Sequence, residues 1–303
     1  MIRLSNSRSC SQSGTPPPRP SPGPPGPGGR GPGGRPGPYG GGGRPGGWYL
    51  AVEIIGSPVF TLDDGRGYVA DRLPTADELD ALRRLPTPAV ANAIETFDIR
   101  PRTAGFMTGE VRQMFPALPP IVGYAVTARV VCGQEPGPRG GASRLEYWRY
   151  IESAHRELGP LVMVTQDLDD PPFGAWFGEV NANIHTALGC VGVVTNGGIR
   201  DMEEVEAVGL PMWAGEVVVS HGYTHLVDFD NPVRVGGLTV SPGQLLLADR
   251  HGVIEIPLEI VAEVPEAVRQ VETRERAVIA YCQSSDFSAD GLHALVSGQR
   301  DHH

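Results

Sequence analysis

Residues 189–210 read GCVGVVTNGGIRDMEEVEAVGL, passing from apolar to acidic across two glycines. Small and β-branched residues from Cys190 to Thr195 suit a buried strand. Two glycines, Gly197 and Gly198, then mark a turn, and the acid-rich EEVEAVGL has helical character. Strand, glycine turn and helix in that order form a ready anion site, because free N–H groups and the helix dipole point at the turn. Arg200 there could grip a carboxylate, and Asp201 could be a hard oxygen ligand for Mg²⁺ or Mn²⁺. Taken alone, the stretch favours the plainer description of a turn, an exposed arginine and an acidic first helical turn.

Upstream, FGEVNANIH (177–185) is a second loop that ends at a helix start, with Glu179 beside Gly178. Consecutive strand-to-helix turns in an α/β sheet lie along one carboxyl edge, so the two turns are expected to face one pocket. Upstream, IVGYAVTARVVC (121–132) and LVMVTQ (161–166) read as strands, with a helix over 143–158 between them. TADELDALRRL begins with a capping box, Thr75 and Glu78. TPAVANAIETF is expected to start a helix with Thr87 as cap and Pro88 at the first helical position. Downstream, PMWAGEVVV, VRVGGLTV and QLLLADRHGVIEIP read as strands, and a last helix covers 258–282. AVEIIGSPVF is a further candidate strand near the start. The βαβα centre followed by several strands predicts an α/β domain, with a central mixed sheet and extra antiparallel strands, and not a TIM barrel.

The 303 residues are 40% hydrophobic, enough for one large core. From Gly14 to Gly47 every residue except Thr15, Ser21 and Tyr39 is Gly, Pro or Arg. Residues 1–50 therefore read as a disordered tail, with a proline-rich docking segment as the alternative, and lack the apolar run of a signal peptide. The domain is placed at 70–283, and 284–303 is taken as a C-terminal tail.

Six of the 25 basic residues precede the first acid, Glu53, leaving 19 arginines against 35 acids in the remainder. A body so acidic repels a phosphate backbone, so nucleic acid is not an expected partner. Neither is a membrane, since no apolar run is long enough to span one. The four cysteines form no CxxC pair and read as small core residues or helix positions in a reducing cytosol, not as a disulfide framework or a thiolate zinc site. His221, His225 and Asp228 in SHGYTHLVDFD have metal-like spacing on a helix, but their β-prone neighbours argue for a loop. His251, beside Asp249, reads as structural.

All basic residues are arginine; the chain contains no lysine. A Schiff base with a carbonyl substrate or with pyridoxal phosphate is therefore excluded. GxGxxG and Walker patterns are absent, which removes the support for NAD or another nucleotide. Carbanion chemistry, if present, needs a metal ion as electron sink.

An acidic residue, twenty residues, then Arg-Asp resembles the signature of the RraA-like family. LPTPAVANAI, IVGYAVTARV and PVRVGGLTVSPGQLLLADRHGVIEIP agree with it, over roughly residues 80 to 283. That family includes class II 4-hydroxy-4-methyl-2-oxoglutarate aldolases with oxaloacetate decarboxylase activity, and regulators of ribonuclease E. The resemblance implies a layered α/β domain with a C-terminal helix. It implies that Gly178, Glu179, Val180 and Asn181 form a substrate loop, that Arg200 binds a pyruvate unit and that Asp201 holds Mg²⁺ or another divalent ion. It further implies a trimer or hexamer in which a glutamate from a neighbour's C-terminal helix completes the site, with Glu275 the candidate and Glu272 close behind. Cleavage of a 4-hydroxy-2-oxo acid then needs a base, for which a water held by Glu179 and Glu275 is the candidate. The chain departs from the family at Glu179, Asn196 and Gln244, where aspartate is common. The expected function is a cytosolic metal-dependent lyase releasing pyruvate; the rival is a non-catalytic regulator that binds a ribonuclease.

Overall fold

The computed structural model describes residues 72–138 and 140–300. The tail expected over 1–50 and the candidate strand AVEIIGSPVF lie outside them. Helix α1 (Ala76–Arg83) carries the expected capping box, Thr75 accepting from the Glu78 N–H and Glu78 reaching back to Thr75. Helix α2 (Thr87–Glu95) follows at once. Next come β1 (Arg112–Gln113), β2 (Ile121–Val131), α3 (Arg144–Leu158) and β3 (Leu161–Asp167). The centre continues with β4 (Ala175–Phe177), α4 (Glu179–Ala187), β5 (Cys190–Thr195), β6 (Gly198–Ile199) and α5 (Met202–Val208). Six short strands follow: β7 (Met212–Ala214), β8 (Glu216–Val217), β9 (His225–Phe229), β10 (Val233–Val235), β11 (Leu238–Val240) and β12 (Leu245–Asp249). The chain closes with β13 (Gly252–Ile256), α6 (Val264–Cys282) and α7 (Ala289–Arg300).

The main sheet runs β1-β7-β5-β3-β2-β12-β13, with β9 also on β2. Its central four strands, β7, β5, β3 and β2, are parallel, while β1, β9, β12 and β13 pair antiparallel. The sheet is mixed, as the order of elements predicts. Both faces are covered, which is why β2 reads as a continuous apolar run. Alternate residues serve opposite cores. Val122, Tyr124, Val126, Ala128 and Val130 join α1, α2, α3 and α6 on one side. Ile121 and Ala125 meet Val162, Val164, Val194 and Leu246 on the other, where the β10–β11 hairpin packs.

Three local expectations change. VRVGGLTV is not one strand: it folds back at Gly236 and Gly237, with φ of 55° and 80°, into the β10–β11 hairpin. Two consecutive positive φ values are what a tight hairpin turn demands, and glycine supplies them without steric cost. Residues 284–303, read as a tail, include α7, which packs on α6. Its 12 residues have enough apolar positions to hold a helical face against α6.

Thr87 is the third. Pro86 is the helix cap, and Thr87 is already helical. Its N–H and hydroxyl both donate to the buried Asp249 carboxylate, at 2.9 and 2.7 Å. Burial opposes charge on Asp249, but these bonds and the His251 N–H hold its carboxyl below the usual range. His251 thereby has the structural place expected of it. Thr87→Val removes one charge-assisted bond from a buried acceptor. It is expected to cost about 1.5 kcal/mol in urea denaturation without changing the slope of the transition.

Candidate functional site

Beyond the main sheet, β4, β6 and β8 form a small parallel sheet of their own. Its register pairs Ala175 with Gly198 and Phe177 with Ile199, and the Arg200 N–H donates to the Phe177 carbonyl at 3.1 Å. This small sheet, not the edge of the main one, sets the turns before α4 and α5 side by side. Gly178 caps α4 and Asp201 caps α5. Asp201 sits in the left-handed region at φ 55°, a conformation that aspartate tolerates better than most residues. Its Oδ2 accepts the Glu179 N–H at 3.1 Å and lies 3.6 Å from Arg200 Nε. The approach is so close that a Cβ at position 178 would collide with Oδ2.

A cavity of about 490 Å³ opens over these turns. Gly178, Val180, Asn181, Arg200 and Asp201, five of the expected site residues, line it together. Arg144 and His221 join them. Arg144, the first residue of α3, lays its guanidinium over the Trp176 ring at 5.3 Å, a stacked arrangement that orders the cation beside the cavity. Two guanidinium groups and one carboxylate therefore share one small space. Sequence reasoning missed Arg144 because one arginine in a helical first turn carries no signal of its own.

The other expected residues stand differently. Glu179 is exposed; its backbone serves Asp201, and its side chain is not among those lining the cavity. Glu275, on α6, lies against α2, where Asn92 Nδ2 donates to its Oε1 at 3.1 Å. Within one chain it does not line the cavity. His221, His225 and Asp228 do not form a metal cluster: β9 pairs Asp228 opposite Arg129, and the two side chains make a bidentate ion pair at 2.8 and 2.5 Å. His221 instead faces the cavity from a loop.

Asp201 suits a hard divalent ion. It offers a partly exposed carboxylate oxygen in a polar cavity, and Mg²⁺ commonly takes one or two carboxylates plus substrate and water. Among the described residues, no helix is long and apolar enough to cross a membrane.

The RraA-like family model, described as Aldolase/RraA, matches residues 86–254. "Protein DlpA" of Legionella pneumophila is 30% identical over 103 residues, 32% of this chain and 17% of that protein. A Halalkalibacterium halodurans protein named "Putative 4-hydroxy-4-methyl-2-oxoglutarate aldolase" is 26% identical over 133 residues, 42% of this chain and 63% of that one. The matches thus span less than two thirds of either relative. In fold, the chain is similar to Streptomyces coelicolor RraAS2, described as an unusual member of the RNase ES inhibitor RraA protein family. That likeness has a TM-score of 0.53 at 20% identity, over 68% of this chain and 96% of the other. With more than half its length matched by the family model and the same layered α/β fold, the chain belongs to the RraA-like family.

Proposed function

We propose that this chain is a divalent-metal-dependent lyase that cleaves or decarboxylates a small 2-oxo acid and releases pyruvate. The observation that carries the reading is the convergence of Arg200, Asp201, Arg144 and the start of α4 on one cavity. Substrates of the 4-hydroxy-4-methyl-2-oxoglutarate or oxaloacetate type carry two carboxylates. Two guanidinium groups in one cavity match that charge, each able to form paired hydrogen bonds with a carboxylate. Arg200 takes the carboxylate next to the keto group, and Arg144 takes the distal one. The N–H groups at the start of α4 add partial positive charge where the pyruvate unit lies. Asp201 would hold the Mg²⁺ or Mn²⁺ ion, which when bound supplies a Lewis acid for charge building on the keto oxygen.

Retro-aldol cleavage breaks the C3–C4 bond, removes the C4 hydroxyl proton and returns a proton to C3. The base in this reading is a water held by Glu179 and by Glu275 of a neighbouring copy in a homotrimer or hexamer. The exposed face of α6 favours such an assembly: Glu275 is exposed there and Ile279, one turn on, is 54% exposed. Decarboxylation of oxaloacetate needs no base, only stabilisation of the developing charge.

The purified chain is expected to release pyruvate from oxaloacetate or a 4-hydroxy-2-oxo acid, and excess EDTA to abolish the reaction. Absence of turnover across a panel of such acids with saturating Mg²⁺ and Mn²⁺ would overturn the lyase. It would favour the rival, a non-catalytic regulator that binds a ribonuclease, as the fold likeness to RraAS2 suggests.

A further inference from the structure

Behind the cavity wall, three chemically reactive side chains meet at the carboxyl end of the parallel strands. Cys132 follows β2 and Asp167 ends β3, and the parallel register sets Val130 beside Asp167. Asp169 turns back over both. One ligand atom from each residue lies within 4.8 Å of the other two. A tetrahedral ion about 2.0–2.3 Å from each ligand sets the ligand atoms about 3.3–3.8 Å apart, which side-chain rotation reaches from this spacing.

The cluster is held rigidly. Asp169 Oδ2 accepts the N–H groups of Cys132 and Gly133, both at 2.7 Å, and the Asp169 N–H donates to Asp167 Oδ1 at 3.0 Å. The Asn196 side chain clamps the Asp167 backbone from both sides, accepting its N–H and donating to its carbonyl at 2.8 Å each. Asp167 cannot swing out to water. It is 3% exposed, and its Oδ2 is buried with no hydrogen-bond partner. A bare carboxylate oxygen in such a place costs about 1–3 kcal/mol, more when charged. Among the described residues, no arginine pairs with Asp167 or Asp169. Glycines leave the space clear of side chains: a Cβ at Gly197 would stand 3.1 Å from Asp167 Oδ2, and one at Gly174 would stand 2.9 Å from Cys132 Cβ.

We propose that Cys132, Asp167 and Asp169 form a transition-metal site whose natural occupant is zinc, distinct from the Asp201 carboxylate. A bound cation supplies the partner that Asp167 Oδ2 lacks. The sulfur decides the class of ion: thiolate with carboxylates suits Zn²⁺ and its first-row neighbours, whereas Mg²⁺ takes oxygen ligands alone. Three protein ligands leave a fourth position open on a tetrahedral ion. The Thr224 hydroxyl, which accepts from Cys132 Sγ at 3.3 Å, also lines the cavity, so the site lies one side chain behind it. A metal takes the cysteine as thiolate, so loading the ion releases the Cys132 proton.

The test uses the full chain, stripped by a chelator and titrated with Co²⁺. One equivalent is expected to give a thiolate-to-cobalt charge-transfer band, displaced by Zn²⁺ and not by millimolar Mg²⁺. Cys132→Ser should lose the band, Asp167→Asn should weaken Co²⁺ binding at least about tenfold, and Asp201→Ala should change neither. Absence of the band, or its survival in Cys132→Ser, overturns the site. Should Cys132→Ser fail to fold, Asp167→Asn decides: Asn keeps the oxygen that accepts from Asp169, and unchanged Co²⁺ affinity in that variant overturns the proposal. None of these readouts depends on lyase activity.

Discussion

Asp201→Ala is expected to lower metal-dependent turnover by on the order of 10²–10³-fold, the scale of losing one group that stabilises charge in a transition state. Metal binding at the cavity should weaken in parallel, while circular dichroism stays unchanged. Folding survives because Asp201 is partly exposed and gives the fold one hydrogen bond, to the Glu179 N–H. Alanine does carry a backbone penalty, since position 201 has φ of 55° and the left-handed region costs a Cβ-bearing residue about 1–2 kcal/mol. Asp201→Asn separates the two effects. Asparagine tolerates the backbone and keeps an oxygen to accept from Glu179, yet loses the charge that holds a divalent ion. Both variants should therefore lose turnover while only the alanine loses stability. A fully active asparagine variant would remove Asp201 from the metal site, whatever the alanine did. Pyruvate release coupled to an indicator dehydrogenase measures the first effect, and urea denaturation the second.

The parts legible in the sequence are those with many residues repeating one pattern. β2 spans 11 residues, buried throughout except at Arg129, and its β-branched residues mark the run as a strand. The capping box of α1 is a set of local bonds, so local sequence finds it. Arg200 and Asp201 were legible as a pair at a glycine turn, because turn and helix start are both written in adjacent residues. What placed them opposite Gly178 was not. β4, β6 and β8 have two or three residues each, too few for any periodicity, and they exist only because the main sheet presents them to one another. Cys132 is buried in the core, as expected of it, but its polar neighbours were not legible. Its apolar run marks it as a core thiol, and the carboxylates that stand near it lie 35 and 37 residues on, brought close by strand register. The Gly236-Gly237 pair was a turn signal in plain view, yet the apolar residues flanking it read as one strand, and only the hairpin register shows the reversal.

Acid should destabilise the α3–α4 contact through one buried imidazole. His185 is wholly buried between two helices. Its Nε2 takes a hydrogen bond from the Tyr147 hydroxyl at 2.7 Å, and its Nδ1–H donates to the Asn181 carbonyl at 2.6 Å. These partners fix one neutral tautomer, and a second proton would face the Tyr147 hydroxyl in an apolar core. Burial accordingly depresses the ring's pKa to about 4, against an ordinary value near 6.5. Between those values the unfolded chain binds a proton that the folded chain refuses, so stability falls as pH drops from about 6.5 towards 4. The full shift corresponds to about 3 kcal/mol. Asp167 and Glu255 pull the other way, since burial raises them to about 6 and about 7, and groups so raised stabilise the fold as pH falls. The total stability curve mixes these with other shifted carboxyls, Asp230 raised and Asp249 and Glu78 lowered, but a difference measurement isolates one. His185→Gln keeps polarity and cannot titrate. The stability difference between the native chain and this variant should shift against the native chain by about 3 kcal/mol from pH 7 to pH 4, read from urea denaturation at each pH. A difference that stays constant across that range would mean that the histidine does not titrate there. The consequence reaches the cavity directly, because α4 begins with the Gly178–Asn181 turn and α3 begins with Arg144. The hydrogen bond from Tyr147 to His185 joins the two helices that carry those walls.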